Sequence, residues 1–153
     1  MATRTSRLIL SALGVSALYV GVWAEFVPAS FYRSFPGLGR HWVSPLGPYD
    51  EHLVRDVGGL YLALAVASAG AWWLADHRTT VVVALAWFAF SLPHLVFHLA
   101  HLEHFGALDQ ALNIVLLALT AVGAGALALG NIGSVGSITG AGAPRSHRDL
   151  SCG

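Results

Sequence analysis

The side chains able to do chemistry in this chain crowd into two short stretches. The first, Pro93-His94-Leu-Val-Phe-His98-Leu-Ala-His101-Leu-Glu103-His104, holds four of the eight histidines. On a helix turning about 100° per residue, His94, His98 and His101 fall at roughly 0°, 40° and −20° and share one face. Glu103 points away from them and His104 sits at the edge. The second stretch, Glu51-His52-Leu-Val-Arg55-Asp56, sets His52 and Asp56 one turn apart on a common face. Gly59 and Ala63 extend that stripe with small residues, which let another helix approach closely. Imidazole with carboxylate is a donor set for Zn, Cu, Fe or Ni. The single cysteine, Cys152, leaves neither a disulfide framework nor a cysteine-based zinc site.

These residues have to be positioned by elements of an unusual composition. The chain is 56% apolar and 10% charged, whereas soluble domains average about 45–50% and 25%. Its eight basic residues are all arginine and equal its eight acidic ones, so no basic field for nucleic acid exists. Residues 8–27, 57–74, 80–100 and 111–129 form four apolar runs near the roughly 20 residues that cross a hydrocarbon layer about 30 Å thick. The expected fold is therefore an all-α integral membrane bundle of four helices, residues 1–130, whose direct partner is the lipid bilayer. Residues 28–50, with Pro36-Gly37, Gly47-Pro48 and several aromatics, read as an ordered extracytoplasmic cap between the first two spans. Residues 131–153 turn to Gly, Ser, Ala and Pro and read as a disordered tail. Arg4 and Arg7 before an apolar run also describe a signal peptide. A retained first helix is expected instead, because it supplies a packing partner for the others.

Arginine placement sets the orientation. Arg4, Arg7, Arg78, Arg145 and Arg148 would share one side, and Arg33, Arg40 and Arg55 the other. By the positive-inside rule both termini lie in the cytoplasm of a cell-membrane protein.

Counting about 1.5 Å per residue from each helix mouth puts His52 level with His101 and Asp56 level with His98. Glu25, Asp109 and Asn113 arrive in the same outer layer from the first and fourth helices. Ionisable groups in lipid face inward, paired or around water or an ion. The expected metal ligands are His52, Asp56, His98 and His101, with His94 deeper, either beside that site or on an inner ion. Glu25, Arg55, Asp109 and Asn113 would orient those ligands. A bis-histidine haem and a metal-free polar or proton-carrying network remain alternatives. Such a protein would be an oxidoreductase acting on a lipophilic or quinone-like molecule from the bilayer, or a non-enzymatic subunit or transporter accessory. No phosphate-binding Gly-rich loop, G-x-S-x-G elbow or H-E-x-x-H is present.

The segments Phe35-Pro-Gly-Leu-Gly-Arg-His-Trp42, Leu46-Gly-Pro-Tyr-Asp-Glu-His52-Leu-Val-Arg55-Asp56-Val-Gly-Gly59 and Pro93-His94-Leu-Val-Phe-His98-Leu-Ala-His101 together resemble a group of small four-helix actinobacterial membrane proteins. That likeness covers residues 8–129 and is distantly similar to the DoxX-like superfamily. It implies the four-helix membrane fold and a link to quinone or thiol redox processes. With no cysteine in its spans, this chain has no residue for the thiol branch.

Overall fold

The computed structural model describes residues 3–140, with side chains described as far as residue 133. Four helices are long and apolar enough to cross a membrane: α1 (Arg4–Phe26), α3 (Glu51–Leu74), α4 (His77–Leu99) and the stretch Ala107–Gly133 of α5 (Ala107–Gly140). A short helix, α2 (Pro28–Ser34), belongs to the cap.

Helices α1, α3 and α4 each begin where the sequence supplies a cap. The side chains of Thr3, Asp50 and Asp76 accept hydrogen bonds from the N–H groups of Ser6, Leu53 and Thr79, which no intrahelical carbonyl reaches. Hydrogen bonds from Thr79 hold the Asp76 carboxyl below its ordinary range. That cap is therefore kept at neutral pH and lost only as pH falls through the lowered value. Helix α1 stops because Pro28 cannot continue it: a residue before proline is driven out of the α region, and Val27 sits at φ −136°, ψ 54°. Proline is then well placed in the first turn of α2.

The cap is ordered, as its punctuation suggests. Strands β1 (Pro36–Gly37) and β2 (Arg40–His41) form an antiparallel hairpin in the register Pro36 to His41 and Gly37 to Arg40. Its two-residue loop, Leu38-Gly39, has positive φ at both positions, the tight hairpin geometry that matches strand twist. Below it, Phe31 packs on Phe35 with centroids 4.7 Å apart. Trp23 of α1 stands edge-on to both.

Helices α1 and α3 form one tight pair and α4 and α5 another, while the seams α3/α4 and α1/α5 are much lighter. Small residues make the first pairing possible. A Cβ on Gly58 would lie 2.5 Å from the backbone N of Glu25, and one on Gly21 would lie 2.9 Å from the backbone N of Leu62. The close approach is thus at Gly58, one residue from the expected Gly59 stripe.

Away from the cap the bundle is solid. Leu10, Leu13, Ala17, Ala71, Val83, Trp87, Ala124 and Leu127 form one buried cluster. Trp87 Nε1 donates to Ser68 Oγ at 2.9 Å. At the far end Asn131 is buried; its amide donates to the Leu127 carbonyl and to Ser6 Oγ, and its oxygen pairs with His77 Nδ1 at 2.7 Å. Residues 131–140, expected in a disordered tail, instead continue α5, and the rest of that tail lies outside the described residues. The expected fourth run, residues 111–129, stops short of Asn131, the partner of His77.

Candidate functional site

Between the solid end and the cap, the two helix pairs stand apart and enclose a cavity of about 510 Å³. Cavities that hold small ligands usually measure about 300–1,000 Å³. Its floor is Trp87 with Tyr61, and its roof is the cap's Phe31, Phe35, Trp42 and Leu46. One seam contributes Tyr19 of α1 and Leu116 of α5, the other Leu53 of α3 and Phe97 of α4. All four of these are substantially exposed, so the cavity reaches the bundle surface along both light seams.

The wall is apolar apart from a few groups. Ser91, His94 and His98 follow one face of α4 with Trp87 and Phe90, and Asn113 faces them from α5. Ser91, His98 and Asn113 are 2%, 7% and 2% exposed. Yet Ser91 Oγ, His98 Nδ1 and Asn113 Nδ2 have no hydrogen-bond partner among the described residues. Buried polar atoms are nearly always paired, because an unpaired one costs about 1–3 kcal/mol. Three on one cavity wall are a reason to look for a ligand. The wall also has weak points: Pro93 cannot donate to the carbonyl of Ala89, so α4 lacks one rung of its ladder at this height.

The structure separates the expected metal ligands. His52 and Asp56 do meet, at 3.4 Å, but their side chains are 87% and 56% exposed. The reason is helical phase: α3 buries Val54 and Gly58, and residues 52 and 56 lie about 160° around from Val54. His101 is not on a helix at all, since α4 ends at Leu99 and the chain turns into a 3-10 segment at Leu102–His104. Its ring stacks on Phe97 at 4.2 Å and its Nδ1 donates to the Phe97 carbonyl. Only His98 of the four lines the cavity, next to His94, whose ring stands edge-on 4.7 Å away. Among the described residues no group of three or more His, Cys, Asp or Glu side chains is placed to hold a metal ion.

The four residues expected to orient the ligands also disperse. Arg55 pairs with Glu51 at 3.0 Å and donates to the main-chain carbonyl of Glu25. Glu25 lies beside Gly59 in a small surface recess with Arg55 and Asp56. Asp109 fastens the cap: one carboxylate oxygen accepts from Arg40 Nη1 at 2.5 Å and from Trp42 Nε1 at 2.8 Å. Asn113 alone enters the cavity. Ser91, Trp87 and Phe90 were missed, although the stripe Trp87-Ser91-His94-His98 has the 4-3-4 spacing of a single helix face and carries the signal.

In fold and composition this is an α-helical protein with four helices long and apolar enough to cross a membrane, an ordered cap at one end and an apolar cavity beneath it. No family model, no curated protein and no solved structure matches the chain.

Proposed function

We propose that this protein binds a lipophilic small molecule, drawn from the bilayer, in the cavity beneath the cap. What supports this most is the combination of an apolar wall with three buried, unpartnered polar atoms, Ser91 Oγ, His98 Nδ1 and Asn113 Nδ2. Apolar pockets with a few convergent polar groups are the usual form of a small-molecule site. The exposed seams give such a molecule a lateral route from the hydrocarbon layer.

A diazirine-bearing alkane photoactivated in liposomes holding the protein tests it. Adducts mapped by mass spectrometry are expected on Val57, Phe90 and Leu117, and Val57→Trp, which fills the cavity, should remove most of them. Adducts confined to outward residues such as Val66 and Leu129, in both forms, would overturn the proposal.

We further propose a cell-membrane location with both termini in the cytoplasm and the cap outside, on the arginine bias. With Cys152 changed to serine, Leu38→Cys at the fully exposed hairpin tip should react with an impermeant maleimide in intact cells. Reaction only after lysis would reverse the orientation.

A further inference from the structure

Resting on that proposed function, we infer that the ligand carries an uncharged, oxygen-bearing polar end, such as an alcohol, phenol or ketone, on an apolar body. The cavity wall contains no Arg, Asp or Glu, and the chain has no lysine. A carboxylate, sulfonate, phosphate or ammonium entering it would shed water and meet no counter-charge, which is strongly unfavourable. Arg40 and Asp109, bonded to each other and, through Asp109, to Trp42 of the roof, are spent on fastening the cap. A fully apolar molecule would leave three buried polar atoms unsatisfied.

An oxygen acceptor suits what is offered. Asn113 Nδ2 brings N–H donors from α5 and Ser91 Oγ brings an O–H from α4, and neither has a partner among the described residues, so each suits an oxygen acceptor. His98 Nδ1, on the same stripe two turns from Ser91, can donate to a second oxygen or accept from a hydroxyl, depending on its tautomer. The aromatic groups along this stripe suit a flat head: Phe90 and His94 are already stacked, with centroids 5.2 Å apart and 24° between planes. Trp87 closes the bottom of the stripe, so the polar end would sit between Ser91 and the cap and the apolar body would leave through a seam.

Competition against the diazirine alkane in liposomes separates this from the broader proposal. An n-alkane, the primary alcohol and the alkyl sulfonate of the same chain length serve as competitors. The alcohol should displace the label from Val57 and Phe90 about tenfold better than the alkane, as two net neutral hydrogen bonds would allow, and the sulfonate should be weakest. That preference should collapse in Asn113→Leu and shrink in Ser91→Ala, while alkane labelling of the cavity persists in both and reports that each variant is folded. Equal displacement by alcohol and alkane, better displacement by the sulfonate, or an alcohol preference unchanged in Asn113→Leu would overturn the neutral-oxygen inference and leave the cavity function standing. Failure of every chain to reach Val57 or Phe90 would overturn both.

Discussion

Gly58→Ala is expected to destabilise the protein by about 1–3 kcal/mol, the usual cost of forcing atoms into a packed interface, and Gly58→Leu to abolish the folded state. The added Cβ would stand 2.5 Å from Glu25 N and 2.8 Å from Glu25 Cα. Both are backbone atoms of the partner helix and cannot swing aside as a side-chain tip would. Alanine also gains about 0.5–1 kcal/mol of helix propensity over glycine, so the observed loss is what remains after that gain. Two neighbours act as controls. At Gly70 nothing lies within 4 Å, and Gly70→Ala should be neutral or stabilising. At Gly59 the new Cβ would meet only the flexible Glu25 Oε2 at 3.7 Å, and Gly59→Ala should be near neutral. Unfolding of the detergent-solubilised protein followed by circular dichroism gives the comparison. Equal stability of Gly58→Ala and Gly70→Ala would show that α1 and α3 do not pack through this glycine.

Removing the carboxylate of Asp109 should release the cap. One oxygen accepts from Arg40 and Trp42 at once, and both bonds join the hairpin to α5, 67 and 69 residues along the chain. Hydrogen bonds to a charged acceptor are the stronger kind, and Asp109→Ala would also strand the Arg40 and Trp42 donors. The amide of Trp42, bonded to the Phe35 carbonyl at 2.8 Å across the neck of the hairpin, is a direct reporter. Its hydrogen exchange should quicken by about ten- to a hundredfold in Asp109→Ala. Asp109→Asn keeps an acceptor without the charge and should fall between. His52→Ala, on an exposed side chain, should leave the cap unchanged. Wild-type exchange in Asp109→Ala would mean that the aromatic packing alone holds the roof.

The spans could be read from the sequence because length and apolarity are local properties, and the cap because prolines and glycines mark it. What could not be read was rotation. In a soluble helix the polar side identifies solvent, but in an apolar helix at the membrane edge a polar group can face outward to the headgroup region. His52 and Asp56, in the first two turns of α3, are exposed. The level-matching of His52 with His101 assumed an unbroken α4, and it fails where the helix ends at Leu99. Asn113 and His98 were legible because a polar residue within an apolar run has few places to go. Ser91 was passed over because a hydroxyl in a helix can satisfy itself on its own backbone, and only the structure shows that this one does not.

The uneven pairing of the helices bears on how the molecule is made. The tight α1/α3 pair and the tight α4/α5 pair each close within one contiguous half of the chain, divided at the short turn Ala75-Asp76. The α1/α3 contacts lie wholly within the first half, whereas the cap waits for Asp109 of α5 to fasten it. The second half folds as a simple hairpin of helices joined through Gln110, which donates to the carbonyls of Leu102 and Phe105. The structure is thus two closely packed leaves in lighter contact with each other, and the cavity is the space left unfilled between them.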